Sequence, residues 1–317
     1  MVDGKKLLVS ASPHLRTKDT TRGIMLDVVI ALIPAIIAGT VLFGIRALLV
    51  VAVCAGAAVI SEFLFNLILK RKQTVGDFSA LVTGVLIGLN NHALVPLWQC
   101  VLGSVFAIII VKCLFGGLGC NFANPAITAR VVLVISFTST VGGGVVPGTV
   151  DKIFFPSTEL ITTATPLAVD YGAPGLWDLF MGNCAGAIGE TCALALIIGY
   201  AYLVVRRVIK FETPLIFVCT VFVLSLIAYG SFYLALSQVL SGGLILGAVF
   251  MATDYVTTPI TRTGKMIFAF GCGLLTFLIR YFGSYPEGVS FAILFMNILT
   301  PYIEKWTKKR PLGAGGK

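Results

Sequence analysis

Charge is scarce in this chain. Only 12% of its 317 residues are charged, two are histidine, and 57% are hydrophobic. A soluble domain of this length carries about twice that share of charge, so the composition excludes an ordinary water-soluble enzyme. Metal-type cysteine spacing is missing too: eight cysteines lie in or beside apolar segments and no pair is spaced C-x-x-C. That pattern speaks for small buried apolar side chains rather than a metal cluster or a disulfide framework. His14 and His92 stand apart, without partners at ligand spacing, and support no metal site. A cleavable leader is not expected either, since the basic first 23 residues run straight into a long apolar span.

What the chain has instead is hydrophobic runs, and its mean hydropathy is +0.99. A helix needs roughly 20 apolar residues to cross a hydrocarbon core of about 30 Å. About ten such runs are expected: 24–44, 46–69, 78–91, 96–115, 122–139, 182–206, 213–229, 231–251, 265–282 and 286–304. The third and fifth are short. Gly84 and Gly88 interrupt the third, so broken helices are expected there, shielded by protein because freed backbone groups cannot face lipid.

Basic residues test the count, because cytoplasmic segments collect Lys and Arg. With both termini cytoplasmic, inner segments and adjoining helix ends, Lys112 and Arg130 among them, take all the basic residues except Arg46, Lys152 and Arg280. The net charge of +9 then reflects topology and attraction to an anionic inner leaflet. Scattered over loop ends, these residues form no continuous patch, so no nucleic-acid partner is expected.

The expected fold is an all-α integral membrane protein. Its organisation is a cytoplasmic tail (1–23), a first five-helix repeat (24–139), a long extracytoplasmic loop (140–181), a second five-helix repeat (182–306) and a second cytoplasmic tail (307–317). Five spans per set force the second set to enter from the other side, giving inverted repeats. An internal echo agrees: Leu81-Val-Thr-Gly-Val-Leu-Ile-Gly-Leu89 is similar to Leu240-Ser-Gly-Gly-Leu-Ile-Leu-Gly-Ala248, and each precedes a polar cluster, Asn90-Asn91-His92 and Thr253-Asp254-Tyr255. Interrupted helices at matching places in two halves point to a buried site near their interface.

Several residues carry candidate chemistry. Glu62 and Glu190 lie inside spans, where ionisable groups are costly; each lines a cation path or pairs with a polar neighbour. Asp27 and Asp77 stand near helix starts, where carboxylates act as caps. Asn121 and Asn124, before Pro125, are either helix-start residues or donors to a ring edge. Asp254, with its neighbouring threonines, sits similarly at the end of the eighth span.

In the outer loop, Glu159-Leu-Ile-Thr-Thr-Ala-Thr165-Pro resembles the acceptor motif of flavin transferase substrates. That resemblance makes Thr165 the acceptor, with Ala164, Thr163, Thr162 and Glu159 completing the motif. Two positions depart from it, Glu159 where Asp is usual and Thr163 where Gly or Ser is usual, which leaves Thr162 and Thr163 as lesser acceptors. It implies FMN tethered to the threonine by a phosphodiester, AMP leaving from FAD.

Further stretches carry a wider resemblance: Ser12-Pro-His-Leu-Arg16, Thr20-Thr-Arg-Gly-Ile-Met25, Ala31-Leu-Ile-Pro34, Gly76-Asp-Phe-Ser-Ala-Leu-Val-Thr-Gly84, Asn121-Phe-Ala-Asn-Pro-Ala-Ile-Thr-Ala-Arg130 and Met251-Ala-Thr-Asp-Tyr-Val-Thr-Thr-Pro259. In this order they resemble the D subunit of the Rnf complex, an ion-translocating ferredoxin:NAD+ oxidoreductase, and the related B subunit of the sodium-translocating NADH:quinone oxidoreductase. The resemblance implies an electron-transfer subunit of the bacterial or archaeal cell membrane, without complete activity alone. It implies covalent FMN, a second, non-covalent flavin such as riboflavin near Asn121, Asn124 and Asp254, and coupling to Na+ or H+ movement. The implied partners are the Rnf subunits A, B, C, E and G, above all the last of these, an extracytoplasmic flavin protein. A flavin transferase joins them during maturation, and the lipid bilayer surrounds the chain. Topology alone also fits a competing reading, an inverted-repeat solute transporter without a redox role.

Overall fold

The protein is described by a computed structural model covering residues 20–147, 175–283 and 287–308. Its described part is helical, with one isolated bridge between Val145 and Gly186. Four helices are long and apolar enough to cross a membrane: α1 (Thr21–Phe43), α2 (Ile45–Ile68), α9 (Glu212–Tyr229) and α12 (Arg262–Phe282). A fifth candidate is a bent pair, α10 (Phe232–Leu240) and α11 (Leu244–Met251), whose axes differ by 62°. Shorter apolar helices are α3 (Ser79–Asn90), α4 (Leu97–Cys113), α5 (Pro125–Ser136) and α8 (Ala193–Val205). Two short helices, α6 (Thr138–Val141) and α7 (Leu176–Met181), and the long α13 (Val289–Thr307) complete the set.

Local chemistry accounts for the helix ends. Thr20 caps α1 by accepting from the Gly23 N–H, and Asn124 caps α5 through the Ala126 and Ile127 N–H groups, with Pro125 in the first turn. Gly44, at φ 76°, lets α1 turn directly into α2. The second halves of α4 (Phe106–Cys113) and α11 (Gly247–Met251) wind as π-helix, a form that often marks functional segments.

The expected interruption of the third span is placed differently. Gly84 and Gly88 lie inside a regular α3 and do not break it; a Cβ on Gly84 would stand 2.6 Å from Ala55 Cα, and one on Gly88 2.7 Å from Val51 Cα. They are the small-residue stripe on which α2 and α3 meet closely. α3 ends instead at Asn91, and a buried turn leads through His92 to Pro96. The sixth span also differs: Gly182–Cys192 is non-helical and helix begins only at Ala193. This buried coil is satisfied by protein, since Ile188 N–H donates to Asn91 O at 3.0 Å and Gly189 N–H to Leu89 O at 2.8 Å.

Two basic residues counted with the inner segments and adjoining helix ends are buried. Lys112 pairs with Glu62 inside the helix bundle. Arg130 bonds Glu287, Asn91 and the Val141 carbonyl. Asp27 is not a cap either, because its carboxylate accepts from Tyr202 and Arg206 of the neighbouring α8 region. Asp77 does cap, accepting from the Ser79 N–H at 2.9 Å.

Candidate functional site

A cleft opens on the basic face, the one carrying Lys70–Lys72, Arg207 and Lys210, between elements from both halves of the chain. Its free space, open solvent at the mouth included, is about 760 Å³, of which about 80 Å³ is cavity proper. One wall comes from α1, α3 and the residues around Asn121; the other comes from α8, α11 and the Thr253–Val256 turn. Asn121 and Asn124 line it together with Asp254, which lies more than a hundred positions further along the sequence.

Asn124 and Asp254 are held by hydrogen bonds. Asn124 spends its side-chain oxygen on the α5 cap, and its amide nitrogen donates to Met251 O at 3.3 Å, tying the two halves together. Asn297 of α13 adds a second tie: with its amide turned so that both groups are satisfied, its nitrogen donates to Thr257 O (3.2 Å) and its oxygen accepts from Asn124 N–H (3.1 Å). Asp254 is half-buried and organises its own turn, accepting from Val256 N–H and from Thr257 Oγ1 at 3.0 Å. Burial pushes its carboxyl up from the usual range, and the Thr257 hydroxyl and the Val256 and Tyr255 N–H groups pull it partly back. The Tyr255 hydroxyl donates to Val208 O across the mouth.

Asn121 is different. Its Oδ1 is buried without a hydrogen-bond partner among the described residues. A buried acceptor left alone costs about 1–3 kcal/mol, so Asn121 stands out among the residues lining the cleft as one whose hydrogen bonding is incomplete. Lys112 also lines the cleft, with its ammonium held by Glu62 Oε1 at 2.9 Å and Ser79 Oγ at 2.6 Å. A third N–H remains on that nitrogen. The lining therefore offers an unpaired acceptor and a cation among apolar side chains such as Val82, Leu86, Val249 and Phe250. Such a lining suits a flat heteroaromatic group with both donors and acceptors on its edge.

Glu62 and Glu190 do not share a site. Glu62 belongs to the network behind the cleft, whereas Glu190 lies in the non-helical Gly182–Cys192 segment, packed where α10 breaks from α11; a Cβ on Gly243 would meet its Oε1 at 2.7 Å. Thr165, Ala164, Thr163, Thr162 and Glu159 lie outside the described residues. Lys112, Asn297 and Arg280 are the residues that sequence reasoning passed over. For Lys112 a signal existed: two opposite charges, each alone in an apolar run, are best buried against one another.

Comparison with known proteins identifies the family. Residues 8–313 match the profile described as the NQR2, RnfD, RnfE family. The D subunit of the Na+-translocating ferredoxin:NAD+ oxidoreductase complex of Acetobacterium woodii is 45% identical over 97% of this chain and 95% of its own length. Its counterpart, the D subunit of a proton-translocating complex from Clostridium ljungdahlii, is 36% identical over 96% of each chain. In Escherichia coli, the D subunit of an ion-translocating oxidoreductase complex is 34% identical, covering 96% of this chain and 98% of that one. With nearly its whole length matched, this chain belongs to the NQR2, RnfD, RnfE family.

Proposed function

We propose that this chain is the electron-transferring D subunit of an Rnf-type ion-translocating ferredoxin:NAD+ oxidoreductase in a cell membrane, acting with subunits A, B, C, E and G. It carries FMN on Thr165, attached by a flavin transferase on the extracytoplasmic side, and a second, non-covalent flavin in the basic-face cleft. The observation that carries the reading is the convergence of Asn121, Asn124 and Asp254, drawn from both halves, on one cleft with an unpaired acceptor.

A flavin supplies reversible uptake and release of electrons; the protein supplies position and surroundings. In this reading Asn121 Oδ1 would accept from the ring, Lys112 would offset negative charge on it, and the apolar walls would keep water away. The basic face is the cytoplasmic one by its lysines and arginines, with both termini there. Ten spans follow if each short or broken helix counts as a crossing. Two inverted repeats are supported by the packing: α2 is the centre of the first set, against α3 and α4, as α9 is of the second, against α10 and α12. Likewise α5 packs on α4 as α13 does on α12.

Coupling moves Na+ or H+, the two ions named for the 45% and 36% identical relatives. The test is flavin content of the purified complex. Denaturing gels should show a fluorescent band for this subunit that is absent in Thr165→Val, and acid extraction should release one further flavin that Asn121→Ala with Asp254→Asn reduces. A wild-type band without fluorescence would refute the tether, and an empty extract would refute the cleft flavin.

A further inference from the structure

A second cavity, of about 170 Å³, opens on the basic face where α8 ends and α9 and α12 begin. Arg207, Lys210 and Lys265 line it, together with Thr213 and Thr258. It shares Val208, Ile209, Thr253 and Tyr255 with the cleft, and the Tyr255 hydroxyl bonds the Val208 carbonyl within that common wall. Its charge is one-sided. Among the described residues none of the three cations forms an ion pair, and Glu212, the acidic residue at the start of α9, gives both carboxylate oxygens to Arg262. Lys210 and Lys265 instead stand close enough to repel one another. α12 opens on Arg262 and Lys265 with no acidic residue in its first turn, the reverse of what its dipole favours. Arg207 closes α8 at φ 58°, a conformation that glycine adopts without strain, so what arginine adds at that turn is its charge.

Hydrogen-bond donors are unspent as well. Thr253 and Thr258 give their hydroxyl protons to Val249 O at 2.5 Å and Asp254 O at 2.6 Å, but the hydroxyl of Thr213, a residue only 5% exposed, has no partner among the described residues. α9 also begins without a side-chain cap, because Phe211 holds that position, and its first N–H groups are left to another acceptor. Three cations, a buried hydroxyl and an uncapped helix start together suit an oxyanion with several acceptor oxygens. The flanking residues point to its source. Val205, Phe211, Leu215 and Ile260 are apolar and more than half exposed, as side chains facing acyl chains are, so the cations stand where a lipid headgroup meets its tails.

We propose that this cavity holds a phosphate oxyanion, supplied by the headgroup of an anionic phospholipid in the leaflet at the basic face. Lys210, Lys265 and Arg207 offset its charge, the Thr213 hydroxyl and the start of α9 donate to its oxygens, and the acyl chains lie beside Phe211 and Leu215.

The experiment titrates the purified complex, washed free of loosely held lipid in detergent, with radiolabelled phosphatidylglycerol in mixed micelles; phosphatidylcholine and inorganic phosphate are the comparison probes. Wild type should bind one phosphatidylglycerol that Lys210→Gln/Lys265→Gln holds about thirtyfold more weakly. Thr213→Val, which keeps the shape and removes the hydroxyl, should weaken it about tenfold, and tests the site even where the double variant fails to assemble. Lys72→Gln, an exposed lysine of the same face outside the cavity, should change nothing. Unaltered binding in both cavity variants, or an equal loss in Lys72→Gln, overturns the site. Inorganic phosphate bound with the same dependence on Lys210, Lys265 and Thr213, without preference between the two lipids, overturns the lipid as its source. Flavin extracted from the double variant should match wild type; flavin lost in step with the lipid would assign the cations to the flavin and overturn the proposal. A wild-type complex that yields no non-covalent flavin refutes the cleft reading alone and leaves the lipid titration untouched.

Discussion

Gly84→Ala is the sharpest probe of how the cleft wall is held. The added Cβ would lie 2.6 Å from Ala55 Cα, 2.7 Å from Cys54 O and 2.9 Å from Ala58 Cβ. Carbon atoms rest at about 3.5–4.0 Å, so the deficit is roughly 1 Å, and two of the three atoms are backbone that no rotamer change can move. Overpacking of this kind costs about 1–3 kcal/mol, while alanine recovers up to about 1 kcal/mol of helix propensity. The net loss expected is about 1–2 kcal/mol. Gly88→Ala meets Val51 Cα at 2.7 Å one turn further along. Once α2 and α3 have parted for the first methyl the second costs less, so the double variant should lose less than the sum. Gly56→Ala is the control: it lies in α2 with nothing within 4 Å of its Cβ, and should be neutral or slightly stabilising. Thermal unfolding in detergent reads all four proteins. Because α3 contributes Ser79, Val82, Thr83 and Leu86 to the cleft, extracted flavin should fall in step. Gly84→Ala matching or exceeding the stability of Gly56→Ala would refute the close-packed stripe.

Three further outcomes are expected. Arg280→Ala strips a partly buried guanidinium from the carbonyls of Gln238, Ser241 and Glu287, leaving the end of α10 uncapped, and should cost about 2 kcal/mol in thermal or denaturant unfolding. Asn124→Ala removes the α5 cap, for about 1 kcal/mol, together with the bond to Met251 O; Asn124→Asp keeps the cap and loses only that bond, so comparing their flavin retention separates the two roles. Arg262→Ala breaks a pair with Glu212 whose arginine side chain is 70% exposed, and should leave the melting temperature unchanged within error.

Apolar runs were readable because hydropathy needs no tertiary information, and they located most of the helices within a few residues. What a glycine or a charge does within a run was not. Gly84 and Gly88 read as interruptions because glycine is a poor helix former, yet packing against α2 outweighs that preference. Gly182–Cys192 read as helix because it is apolar; its coil is stable only because the turn after α3 supplies acceptors. Lys112 and Arg130 read as part of the inner segments and adjoining helix ends because they sit where hydropathy falls, and only their partners Glu62 and Glu287 reveal them as buried. Among the site residues, Asn121, Asn124 and Asp254 were legible as polar clusters at helix ends, whereas their meeting in one cleft depends on how the halves pack.

That packing has a recurring logic. At several points where a helix stops short in the apolar part of the described chain, groups from the other half complete its hydrogen bonding. The end of α3 pairs with Ile188 and Gly189, Asn90 reaches Met251 Sδ at 3.7 Å, and Asn124 reaches Met251 O. Arg130 of the first half pairs with Glu287 of the second. Broken backbone in lipid has to find such partners, so neither half can place its breaks without the other. The breaks are also where the polar side chains gather, since only there are the helix-end N–H and C=O groups free to orient them. A site lined from both halves is therefore a consequence of the same constraint that holds the halves together. Substitutions that loosen the contact between them should lower bound flavin and stability in parallel rather than one without the other.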